Sequence, residues 1–125
     1  MAWIYAGLPW QKYSAQMADE VLKKLNTLSK TEAASAKVMI SDQDNGDAKG
    51  GIFYYEGAWT TPARHAGKWT KKSWSSSSNS DYAPFTQKVL DYLNSLPLEV
   101  ALTAHIASKD ARGSTFQFVV WTQQN

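Results

Sequence analysis

Two stretches of this chain repeat apolar residues at spacings of three and four, and elsewhere its apolar positions mostly alternate. Within "YSAQMADEVLKKLNTL" (13–28), Met17, Val21, Leu22, Leu25 and Leu28 form one helical stripe, with Ser14 as the expected N-cap. Within 81–97, Phe85, Val89, Tyr92, Leu93 and Leu96 do the same; Ser80 or Asp81 would cap this helix and Pro97 would close it. Alternation follows each helix. "AKVMIS" (36–41) turns at "DQDNGDAKGG", whose Asn45-Gly46 pair favours positive φ, into "IFYYE" (52–56). "LEVALTAHIAS" (98–108) turns at "KDARG" into "STFQFVVWT" (114–122). A short strand, "AWIYAG" (2–7), opens the chain, and "KWTKKSW" (68–74) reads as its weaker counterpart.

The two halves resemble each other. "VLKKLNTL" (21–28) and "VLDYLNSL" (89–96) agree at five of eight positions, 68 residues apart. Laying "KVMIS" over "TAHIA" and "KGGIFYYEGAWT" over "RGSTFQFVVWT" lets the offset fall from 66 to 62. The order β-α-β-β, long connection, (β)-α-β-β predicts one α+β domain over 1–125. The expected architecture is a two-layer sandwich with both helices on one face of a single antiparallel sheet. It has pseudo-duplicated (β)αββ halves at about 1–56 and 68–125, a joining segment at 57–80, a ferredoxin-like order and an extra C-terminal hairpin strand.

Strand alternation assigns each side chain to a face. Val38, Ile40, Phe53, Tyr55, Val100, Leu102, Ala104, Ile106, Phe116, Phe118 and Val120 suit the core. Tyr54, Met39, His105, Gln117 and Trp121 are then expected on the other face, a mixture suited to a planar ligand or partner chain. Alternatively, the segment 57–80 folds back and covers that face.

Charge changes the picture locally. The net charge is +2, yet 57–80 holds Arg64, Lys68, Lys71 and Lys72 with no acid, and the remainder of the chain sums to −2. Trp59, Trp69 and Trp74, half of the six tryptophans, share that segment with His65. Cations interleaved with aromatics neutralise phosphate and stack on bases together. The bland alternative is that the tryptophans anchor a long loop while the lysines stay solvated. The start "MAWIYAGLPW" has no basic n-region, and no stretch approaches about 18 apolar residues, so a cytoplasmic protein is expected.

Other chemistries find less support. The chain has no cysteine, which excludes disulfides and thiolate sites. His65 and His105 stand forty residues apart with no metal-ligand spacing around either. "DQDNGD" places Asp42 and Asp44 as a calcium loop would, but Asp47 occupies the glycine position and Phe53 the glutamate position, so a hairpin turn is expected. No cofactor motif is present, and Gly50-Gly51 lies in a hairpin rather than at a helix N-terminus.

"IYAGLP" (4–9) and "KGGIFYYEG" (49–57) locally resemble the two strand motifs of RNA-recognition motif domains, which read single strands by stacking. The resemblance implies Tyr5 and Phe53 as stacking residues. Gly51 stands where that family has a second aromatic, and the following connection runs about 25 residues rather than a handful.

The leading expectation is a non-enzymatic module for a negatively charged planar ligand, a single-stranded nucleic acid or a nucleotide-like molecule. Arg64, Lys68, Lys71 and Lys72 would neutralise it, and Tyr54, Trp59, Trp69, Trp74 and Trp121 would stack, with His65, His105 and Gln117 contributing polar contacts. Two alternatives stand beside it. One is a protein–protein module: a small inhibitor, immunity or assembly protein, or a homo-oligomer. The other is a metal-independent RNase or phosphodiesterase using His65 and His105.

Overall fold

A computed structural model describes residues 2–42, 48–60, 67–76, 82–110 and 116–124. The elements run β1 (Ala2–Gly7), α1 (Ser14–Leu25), α2 (Lys30–Ser35), β2 (Lys37–Asp42), β3 (Ala48–Glu56), β4 (Lys68–Ser76), α3 (Tyr82–Ser95), α4 (Leu98–Ala101), β5 (His105–Asp110) and β6 (Phe116–Gln124). The α+β class holds. The strands form two three-stranded antiparallel sheets, β1-β3-β2 and β4-β6-β5, rather than one. In a ferredoxin-like sheet the strand after the second helix would pair with β1; here β5 pairs with β6 and lies against β2 without a ladder.

The helices form where the stripes fall, with differences at their ends. α1 buries Met17 and Val21, but Leu22 is 59% exposed, one residue off the inward stripe. Tyr13, not Ser14, is its N-cap, and no side chain caps it. The sequence reading passed over α2. Its signal is the capping box "SKTE": Glu32 N donates to Ser29 Oγ at 3.1 Å and Ser29 N to Glu32 Oε1 at 3.0 Å. α3 buries Phe85, Val89 and Leu93 at intervals of four; its expected caps, Ser80 and Asp81, lie outside the described residues. The stretch 98–108 is not one strand. Pro97 caps the short helix α4, Ala101 is fully buried, and the strand begins only at His105.

The helices lie on opposite faces of the first sheet, not on one face. Phe85, Val89 and Leu93 of α3 pack with Trp3, Met39 and Phe53 of the first sheet and Phe118 and Val120 of the second. Trp3 N donates to Asn94 Oδ1 at 2.8 Å across the same contact. Residues 3, 39 and 53 share one face by register. α1 covers the opposite face, where the Met17 side chain lies 3.1 Å from the space a Cβ on Gly50 would take. The expected facing of β2 is therefore reversed: Met39 is buried and Val38 is 38% exposed. Phe53 and Tyr55 keep their core-side places.

Both halves run strand, helix, helix, strand, strand, and equivalent contacts recur 68 residues apart. Val38 pairs with Ile52 as Ile106 pairs with Val120. Tyr55 N donates to Ser35 Oγ at 2.8 Å, and Gln123 N donates to Thr103 Oγ1 at 2.8 Å. Each hydroxyl in turn donates three residues back, Ser35 to Glu32 O at 2.7 Å and Thr103 to Val100 O at 2.6 Å. At these ladder positions the offset is 68, not the 66 to 62 expected from the sequence. Ser35→Ala leaves the Tyr55 N–H without its acceptor in a buried place, so it should cost about 1–3 kcal/mol. Thr103→Val, at a half-buried site, should cost less. Urea midpoints of the two variants check both the sign and the order.

Lys37 marks the seam between the halves. Its Nζ donates to Leu102 O at 2.6 Å, and burial lowers its pKa from the ordinary lysine value. The folded state then holds fewer protons than the unfolded state between the two pKa values, so this group's contribution to stability rises with pH there. Tyr54 acts oppositely: burial first, then Glu32 and Glu56, raise its pKa, and its contribution falls once pH passes its ordinary value. Lys37→Met should therefore flatten the rise in urea midpoint between the lowered Lys37 pKa and the ordinary lysine value. A difference between variant and parent that does not change with pH would remove Lys37 as the cause.

Candidate ligand face on the second sheet

β4 forms because Trp69, Thr70 and Trp74 suit a pleated surface and β6 offers it a full ladder, Lys68↔Gln124 through Ser76↔Phe116. Its two tryptophans are five residues apart, so they point to opposite faces. Trp74 turns inward, edge-on to Tyr92 with ring centroids 5.9 Å apart. Trp69 turns outward and is 53% exposed.

The outward face gathers residues from all three strands. Lys71, Trp121 and His105 stand in one row, with Trp121 on the central strand. Trp69 lies one step along β4, beside Gln123, and its ring meets the His105 ring at 5.6 Å, tilted by 45°. Further along come Ser73, Val119 and Ala107, then Ser75 and Gln117. Gln123 Nε2 donates to Gly67 O at 2.8 Å, tying the β6 end to the approach to β4. No Asp or Glu occupies an outward position of these three strands, so Lys71 has no acidic neighbour in the ladder. The first sheet's corresponding face is packed by α3, whereas this one is open, with Trp69, Lys71, Ser73, His105 and Trp121 all exposed.

Five residues singled out in the sequence therefore come together: Trp69, Lys71, His105, Gln117 and Trp121. The others do not join them. Lys68, Lys72 and Trp74 are on the inward-facing side of β4, with both lysines exposed along the sheet rim. Tyr54 stands on the first sheet, in the field of Glu32 and Glu56. Trp59 lines a cavity of about 500 Å³ with Pro97, Leu98, Glu99 and Leu102, and its buried Nε1 has no hydrogen-bond partner among the described residues. Met39 belongs to the core. Arg64 and His65 lie outside the described residues. Tyr5 and Phe53 do neighbour each other, with centroids 4.6 Å apart, but Phe53 is fully buried beneath α3 and offers no stacking surface.

Ser73, Val119 and Gln123 were not singled out from the sequence. Their signal was parity: once "KWTKKSW" is a strand paired to β6, every odd position shares the face of Trp121. Among the described residues no three His, Asp or Glu side chains cluster to hold a metal, and no helix is long and apolar enough to cross a membrane. Residues 43–47, part of the calcium-like spacing, lie outside the described residues. Comparison with family models, with curated proteins and with solved structures gives no match to this chain.

Proposed function

We propose that this protein is a non-enzymatic binding module for an anionic planar ligand, a single-stranded nucleic acid or nucleotide-like molecule, held on the open face of the second sheet. One observation carries the reading: Trp69 and His105 are in ring contact, Trp121 stands exposed between His105 and Lys71 in one row, and no Asp or Glu occupies an outward position of these three strands. Rings supply stacking, and a lysine with no acidic neighbour in the ladder supplies attraction for phosphate. The common 68-residue offset supports a duplicated unit, in which one such face is closed by α3 and the other is free for a ligand.

Anisotropy of a fluorescein-labelled oligothymidylate, titrated with protein at 50 and 200 mM salt, tests the reading. Affinity should fall with salt, since neutralised phosphates release counterions. Trp121→Ala should weaken binding about tenfold, given a stacked base worth roughly 1–3 kcal/mol. Lys71→Gln should weaken it less and reduce its salt dependence. Affinity indifferent to salt and to Trp121 would remove the proposal.

A further inference from the structure

We propose that the ligand is a single strand with at least two unpaired bases, not a mononucleotide and not a duplex. This rests on the reading of the face just given and narrows its ligand class. The outward rows run from Trp69 and Gln123 to Ser75 and Gln117, six residues along the strands, or about 20 Å at the rise of a β-strand. Across three strands the face is about 10 Å wide. A surface that long takes several nucleotides in line.

Its two ends differ. At one end are two stacking stations on different strands, Trp69 with its ring contact to His105, and Trp121; the two tryptophans are diagonal to each other, and His105 stands directly opposite Trp121. Diagonal positions on one face lie roughly 7–8 Å apart, so each station takes its own base. At the other end Ser73, Ser75 and Gln117 offer hydroxyls and an amide. These groups both donate and accept, as base edges and phosphates require. Lys68, Lys71 and Lys72 lie along β4, the edge strand of the sheet, and give the strand's backbone a positive rim to follow.

A mononucleotide site would be a concave pocket burying most of its ligand. An open face gains affinity only by adding stations, so its binding must grow with strand length. A duplex keeps its bases stacked on one another and shows the rings only the outer faces of its two end pairs.

The test is a length series: labelled thymidylates of one, two, four and eight nucleotides, an eight-phosphate abasic strand, and a blunt duplex of sixteen base pairs, all in 50 mM salt. Affinity should rise at least tenfold from one to four nucleotides. The abasic strand should bind at least tenfold more weakly than the octamer, and so should the duplex. Trp69→Ala and Trp121→Ala should each reduce the advantage of the octamer over the abasic strand, the remaining station keeping part of it, while shifting the melting midpoint by about 5 °C or less. A mononucleotide that binds as tightly as the octamer overturns the strand inference and leaves the planar-anion reading standing. Equal affinity for abasic strand or duplex and octamer also overturns it, because stacking then contributes nothing. Failure of every probe to bind overturns both.

Discussion

Phe118→Ala should destabilise the fold by roughly 3–5 kcal/mol, while Trp121→Ala, three residues along the same strand, should cost about 1 kcal/mol or less. Phe118 is fully buried, edge-on to Phe85 of α3 with centroids 5.5 Å apart, and sits in the cluster that joins both sheets. Removing its ring empties a volume that two sheets and a helix are jointly shaped around, and a site held from three sides collapses poorly. Trp121 is 37% exposed on the opposite side of β6, so water takes the space its ring leaves. Most small domains have about 5–15 kcal/mol of stability in total, so the first variant should lose a large share of the urea midpoint and the second little. Equal losses would mean that the sheet is covered on both sides. The open face, and every binding argument built on it, would then be lost.

The contrast between these two residues was legible in the sequence because β6 alternates cleanly: Phe118 and Val120 inward, Val119 and Trp121 outward. β2 was not legible. Val38, Met39 and Ile40 form an unbroken apolar run, so the residue types carry no alternation to read although Met39 is buried and Val38 is 38% exposed. The stretch 98–108 misled in another way. Val100, Leu102, Ala104 and Ile106 alternate by accident across a helical turn and a strand start, and Pro97 was the better guide. The weaker strand expected at 68–74 is β4, but it pairs with β6 at the edge of a second sheet instead of joining a single one. Of the candidate site, the residue types were visible but not their grouping. A basic, tryptophan-rich composition does not say which tryptophan faces outward; pairing with β6 does.

Gly51→Val should cost about 3 kcal/mol, at the upper end of what overpacking a core costs. The cause is a close approach, not backbone conformation, since Gly51 is not among the glycines with positive φ. A side chain at this place would overlap the ring of Tyr5, which lies across Gly51 from the paired strand β1. Tyr5 Oη reaches towards Gly50 O at 3.5 Å, and its ring stacks against the buried Phe53. The ring is therefore held on two sides and cannot swing away freely. A double-mutant cycle isolates the overlap: Tyr5→Ala removes the ring, so Gly51→Val in that background should cost at least 1 kcal/mol less than it does alone. Strictly additive costs would show that the ring does not cover Gly51. The same geometry accounts for the difference between the two sheets. In the first, the glycine lets a tyrosine fold down on the strand and α3 close over Phe53, so its aromatics serve the core. In the second, residues 68 further along place Val119 beside Ser73 and Trp121 beside Lys71, and there Trp121 is 37% exposed where Phe53 is fully buried. A bulky residue at 51 should therefore lower stability without altering affinity for oligonucleotides. Loss of both together would tie the first sheet to ligand binding.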